Sequence, residues 1–170
     1  HEARSVGSPR QHLCAIARML YDRNLTDAGG GNISLRAGEH VYSTPRYLGE
    51  RMRWQLTADD IIVTDVGGRL LEGRPDRISR EADLHLGIYR AFPDVAGVIH
   101  AHAPNILVFA SHEKPLPSLL QTTELYRCGT VGLCQDLPDP SPEITADIIG
   151  RLRERRASEA GAALAIMHPR

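Results

Sequence analysis

Three side chains with the makings of a reactive centre fall within one stretch of the chain: Glu81, His100 and His102. The two histidines are separated by one residue at the end of Val95-Ala96-Gly97-Val98-Ile99, which reads as a strand. Side chains alternate faces along a strand, so both imidazoles are expected on one face. Such a pair suits Zn2+ or another borderline divalent ion, although two histidines two apart also arise by coincidence at a sheet surface. Two ligands rarely hold a metal, so a third is required. His168, at the end of the apolar run 162–167, is the candidate, and Glu81 is a candidate temporary fourth. Beside an ion that polarises a carbonyl, the Glu81 carboxylate would move the proton. Without the ion, Glu81 is a helix-start carboxylate favoured by the macrodipole. His85 shares its helix face and is either a partner of this group or a partly buried histidine.

The elements that must position these groups can be read from periodicity. Leu84, Ile88 and Ala91 recur at helical spacing after Glu81, and Pro93 ends that helix. A helix over residues 11–23 is predicted by Leu13, Ile16, Ala17 and Leu20, preceded by a loosely held arm over residues 1–10. Gly29-Gly30-Gly31-Asn32 precedes a strand at 33–36. The glycines either let backbone N–H groups approach an anion, with Asn32 adding an amide, or simply reverse the chain. They precede a strand instead of opening a helix, so they do not make a dinucleotide fingerprint. Strands are expected at 41–44 and 61–64, with a capped turn at 57–60 and a hairpin turn at 66–69. Residues 46–55, with Arg46, Arg51 and Arg53, read as a loop that either holds an anion or is solvated surface. Helices are expected at 105–111 and 143–156, a strand-like run at 129–133, a proline-rich linker at 136–142 and a terminal strand at 162–167. Strands and helices interleave without a repeat or a strict βαβ rhythm. The expected fold is therefore α/β, a largely antiparallel sheet with helices packed on it.

With 170 residues, 42% hydrophobic and 24% charged, the chain is expected to form a single domain over 1–170. A net charge of −1 without a basic block marks no nucleic-acid partner. No apolar run approaches the ~20 residues that span a bilayer. Cys14, Cys128 and Cys134 are scattered and odd in number, which suits a reducing cytoplasm. Only one of the 20 basic residues is lysine, Lys114, set in a turn-like His-Glu-Lys-Pro. A Schiff-base lysine needs a desolvated pocket, so carbonyl chemistry here would call for a metal.

Several ordered motifs resemble those of the class II aldolase/adducin family. They are Gly30-Gly31-Asn32-Ile33-Ser34-Leu35-Arg36, Leu56-Thr57-Ala58-Asp59-Asp60-Ile61-Ile62, Ser79-x-Glu81 through Ile88-Tyr89, Phe92-Pro93-Asp94-Val95 and Val98-Ile99-His100-Ala101-His102. The likeness covers roughly residues 11–168. It implies a three-layer α/β/α sandwich around a mixed, mostly antiparallel sheet, assembled as a homotetramer. It also implies Zn2+ or Mn2+ held by His100, His102 and a third histidine, with Glu81 as catalytic acid/base. Gly31, Asn32, Thr44 and Ser79 would belong to a substrate-phosphate cradle. The implied reaction is retro-aldol cleavage of a ketose 1-phosphate, such as fuculose 1-phosphate, to dihydroxyacetone phosphate and an aldehyde.

The chain departs from that pattern at four places. Thr44-Pro45-Arg46-Tyr47 replaces a Thr-Pro-Ser-Gly-like turn, and Arg80 replaces a serine. Gln121 aligns loosely with a tyrosine used in aldol chemistry. His168 is followed by Pro169 instead of glycine, so the third ligand is either His168 or a residue beyond Arg170, and the chain is expected to lack the family's C-terminal part. Arg46 and Arg80 bind a phosphate or a carboxylate equally well. The alternatives are a decarboxylase, a sugar-phosphate dehydratase and a non-catalytic adducin-like assembly domain. The epimerase branch carries Asp where Glu81 stands.

Overall fold

The computed structural model describes residues 7–158 and 164–169. The chain divides into two compact units, His1–Pro104 and Asn105–Arg170.

The first unit is built on a five-stranded antiparallel sheet of order β4-β3-β2-β1-β5, with β1 Asn32–Ala37, β2 His40–Ser43, β3 Ile62–Asp65, β4 Leu70–Glu72 and β5 Gly97–His100. Gly38, at φ 61°, turns β1 into β2 in the left-handed conformation that glycine adopts without strain. Alternation along the strands sends side chains to two helix layers. Ile33 joins Leu13, Ala17 and Leu20 of α1 (Pro9–Asp22) in one core cluster, with Trp54 and Ile61. Val41, on the other face, packs with Leu86 and Tyr89 of α3 (Ala82–Ala91). This unit is thus a helix–sheet–helix α/β arrangement. Every strand pair in the sheet is antiparallel.

Helix α1 begins two residues before its expected start. Ser8 and Gln11 form a capping box and Pro9 occupies the first turn, where its missing N–H costs nothing. The expected loop over 46–55 contains a short helix, α2 (Leu48–Met52), entered and left through left-handed Tyr47 and Arg53. The expected 95–102 strand is shorter: β5 ends at His100, and His102 lies beyond it. Along α3 the buried run is His85 to Tyr89: Ile88 of the expected stripe is buried, Leu86 and Tyr89 join the core, and Leu84 is only half-buried.

The second unit holds α4 (Pro104–Ser111) from its second residue onward, α5 (Gln121–Leu125) and α6 (Pro142–Ser158). Ile144, Ile148 and Leu152 bury one stripe of α6. The expected strand at 129–133 is reduced to isolated bridges, Leu116 with Val131 and, in parallel, Leu133 with Met167. In the terminal run only that Met167 bridge is formed among the described residues, and residues 162 and 163 lie outside them. Residues 1–6 of the expected arm and Arg170 also lie outside the described residues. No helix among those described is long and apolar enough to cross a membrane.

Candidate active site

The antiparallel register of β1 and β5 sets Asn32 opposite His100. Residues paired across a ladder point to the same face, and here it is the face that carries α3. Glu81 occupies the N-cap position of α3 without capping it by a side-chain hydrogen bond. Its carboxylate instead accepts from the Asn32 amide and meets His100 Nδ1 at 2.5 Å through the same oxygen, Oε2. Ser79 Oγ accepts from the Glu81 N–H at 3.3 Å and from Asn32 Nδ2 at 3.4 Å. Burial pulls the Glu81 carboxyl upward. The His100 hydrogen bond and charge, with the Asn32 amide, outweigh it and hold the group down to about 2.

His102 approaches from beyond the strand end, its ring 5.2 Å from that of His100 between centroids. Its Nδ1 stands 3.2 Å from Asp27 Oδ1. Asp27 was not singled out by sequence reasoning, because a lone aspartate before a glycine run carries no motif of its own; only the fold pairs it with His102. Oδ1 of Asp27 also accepts the N–H of Gly29 at 2.8 Å and of Gly30 at 3.3 Å.

Beside this group is a cleft of about 120 Å³ lined by residues 29–32, 45–50 and 79–81. Gly31, Asn32, Arg46, Ser79 and Arg80 are therefore brought together around it with Glu81. Gly31 has a φ of 103°, and a Cβ there would collide with the carbonyl oxygen of His100. Arg46 and Arg51 both lie over the Tyr47 ring, at 4.8 and 4.2 Å from its centroid, which fixes that aromatic side chain at the cleft. Thr44 is turned away from the role expected of it. It is buried, its Oγ1 accepts the Ile33 N–H at 3.0 Å and donates to the Ile33 carbonyl at 3.3 Å, and it does not line the cleft. His168 belongs to the second unit, directly after Met167.

Two imidazoles with each Nδ1 set against a carboxylate are the donor chemistry a borderline divalent cation takes, since a fixed Nδ1 leaves Nε2 as ligand. The residues present fit such an ion in kind. Among the described residues, however, no three ligating side chains are gathered as one group.

His85 is buried, neither ligand nor cleft residue. Its Nδ1 meets Ser34 Oγ at 2.7 Å, and the same oxygen meets Tyr89 OH at 2.8 Å. Burial, with the His100 charge, pushes the imidazole down to about 4, and burial raises the Tyr89 phenol to about 12.

An antiparallel sheet between helix layers, with a carboxylate–imidazole cluster beside a cleft that Arg46 and Arg80 line, defines an α/β protein. Residues 11–167 match the sequence model of the Class II Aldolase and Adducin N-terminal domain, and the chain belongs to that family. It is similar to an L-fuculose phosphate aldolase of Methanococcus maripaludis, 29% identical over 134 residues, 73% of this chain and 71% of that one. Its likeness to an L-fuculose phosphate aldolase of Methanococcus vannielii is 34% over 121 residues, 70% of this chain and 64% of that one. Among solved structures it superposes on an L-fuculose 1-phosphate aldolase with a TM-score of 0.77 at 24% identity, covering 92% of this chain and 72% of the other, a likeness of fold. Other reactions occur among its relatives. A methylthioribulose-1-phosphate dehydratase of Methylococcus capsulatus is 35% identical over 54% of this chain and 43% of its own. A 3-oxo-tetronate 4-phosphate decarboxylase of Haemophilus influenzae is 27% identical over 84% of this chain and 68% of its own.

Proposed function

We propose that this protein is a divalent-metal-dependent carbon–carbon lyase, an aldolase that cleaves a ketose 1-phosphate of the fuculose 1-phosphate type to dihydroxyacetone phosphate and an aldehyde. The observation that carries this reading is Glu81, a carboxylate held between His100 and Asn32 at the edge of an arginine-lined cleft. His100 and His102 would hold Zn2+ or Mn2+, with His168 as third ligand on the family resemblance; the ion would supply Lewis-acid polarisation of the substrate's adjacent carbonyl and hydroxyl oxygens. Asn32, Ser79 and the Gly31 backbone orient the substrate's anionic end, and Arg46 and Arg80 neutralise it. Glu81 moves the proton at the carbon that carries charge when the C–C bond breaks. Its resting contact with His100 keeps it ionised. When substrate displaces that contact, burial acts with less opposition and raises its basicity toward what proton transfer demands. The chain works as a homotetramer in the cytoplasm, where Cys14, Cys128 and Cys134 stay as the free thiols they are here.

A second reading is a decarboxylase or dehydratase of the same fold. It is favoured by the Thr44 hydroxyl being committed to Ile33 while Arg46 and Arg80 line the cleft, which suits a carboxylate as well as a phosphate. One screen decides between the readings: ketose 1-phosphates and hydroxy carboxylates are offered to the metal-loaded protein, and aldehyde and CO2 are both scored. Aldehyde release supports the aldolase, and CO2 without aldehyde overturns it. Glu81→Gln should retain the metal and lose roughly 10²–10⁴-fold in turnover. A protein that binds no divalent ion would instead be an assembly domain.

A further inference from the structure

The glycine run before β1 has a second task besides facing the cleft. A Cβ on Gly30 would lie 2.6 Å from Cε1 of His102 and 3.2 Å from its Nε2, so the imidazole rests directly on the Gly30 α-carbon. Gly30 is not in the left-handed region, so its lack of a side chain serves this close approach and not a backbone turn. Asp27 Oδ1 faces the other ring nitrogen, Nδ1, at 3.2 Å, while the same oxygen receives the Gly29 and Gly30 N–H groups. The backbone of Asp27 is itself held from behind: Trp54, fully buried, donates its indole N–H to the Asp27 main-chain carbonyl at 2.8 Å. Arg53 and Trp54 both adopt left-handed φ values, 48° and 60°, to deliver that indole. Two consecutive bulky residues hold such values only where the surroundings enforce them.

We propose that Asp27 and the Gly29-Gly30 backbone form a seat that fixes the ring orientation and tautomer of His102, making Asp27 a positioning residue for the metal site. This rests on the metal-lyase reading above. His102 is past the end of β5, so no sheet hydrogen bond orients it; the seat does what the strand does for His100. With the proton kept on Nδ1 and directed to Asp27, Nε2 carries the lone pair a cation needs. A carboxylate in this position is worth about 10–100-fold in metal affinity.

The test is a competition titration with Zn2+ against a chromophoric chelator, joined to the visible absorption of the Co2+-substituted protein. Asp27→Asn keeps an oxygen for the Gly29 and Gly30 N–H groups, so its melting temperature should stay near that of the parent. Its Zn2+ affinity should fall about 10–100-fold, and its Co2+ spectrum should change. Gly30→Ala, whose added methyl pushes only on the ring, should lose affinity in the same direction and serves where Asp27→Asn folds poorly. In a His102→Ala background neither substitution should cost anything further. Unchanged affinity and spectrum in both variants, while the parent binds Zn2+, would overturn the seat and leave the lyase reading standing. A further loss in the His102→Ala background would also overturn it, since Asp27 would then act as a ligand in its own right. A parent that binds no divalent ion would remove the metal reading and this inference together.

Discussion

Ser34 Oγ, with one hydroxyl proton and two lone pairs, serves two buried partners at once, His85 Nδ1 and Tyr89 OH. Removing it with Ser34→Ala leaves two buried polar groups short of a bond, at a cost of about 1–3 kcal/mol, measurable as a lower urea midpoint. The same pocket sets a pH dependence. His85 titrates at about 4 when folded, below the ordinary imidazole value, so protons bind the unfolded chain more tightly. Its stabilising contribution is complete above about pH 6.5 and is lost as pH falls toward 4, on the order of 3 kcal/mol in all. Glu81, also depressed, acts in a lower window, from the ordinary carboxylate value down to about 2. Urea melts at pH 7 and pH 5 should therefore differ, and His85→Gln should remove most of the difference.

At the scale of elements, the β1–β2 ladder ends on a side chain. Thr44 follows β2, its N–H donates to the Ile33 carbonyl at 2.9 Å, and its hydroxyl covers the Ile33 N–H. Thr44→Val keeps the shape and removes that acceptor, so it should destabilise the fold by about 1–3 kcal/mol. Substrate KM should stay close to the parent value, which enzyme assays beside the thermal melt would check; a rise in KM with an unchanged melt would return Thr44 to the cleft. Helix α3 makes the opposite trade. Its N-cap residue, Glu81, spends its carboxylate on Asn32 and His100 and leaves the helix start without a side-chain cap, an omission that costs about 1 kcal/mol. The proton-transfer role proposed for Glu81 would account for the missing cap.

For the whole molecule, the four most exposed of the large apolar side chains among the described residues fall in one part of the sequence. Leu119 is 80% exposed, Leu125 75% and Leu120 66%, within eight residues of Tyr126 at 63%. Where such side chains form one surface patch, they mark association sites. The proposed homotetramer gives these residues a use, and sedimentation velocity should show concentration-dependent association of the parent chain. The double substitution Leu120→Ser and Leu125→Ser should shift that equilibrium toward monomer without lowering the melting temperature of the monomer. A parent that sediments as a monomer at every concentration would count against the assembly.

Local patterns in the chain determine a good deal of its structure. The 3.6-residue period of Leu13, Ala17 and Leu20, the strand run into His100, and Pro93 as a helix stop are short-range effects of backbone sterics and side-chain spacing, and each element stands close to where these place it. Glu81 and the two histidines were legible for the same reason, through residue type and spacing. Tertiary structure decided what lies between them. The pairing of Asn32 with His100 depends on strand register across more than sixty residues, and no local signal carries that. Asp27 reached His102 only because the buried indole of Trp54 and the bare α-carbon of Gly30 leave room for it there. Thr44 left the cleft because a buried backbone N–H needed an acceptor more than a solvated pocket needed a hydroxyl. Sequence determined which groups could do chemistry; long-range pairing and the need to satisfy buried polar atoms decided which of them face one another.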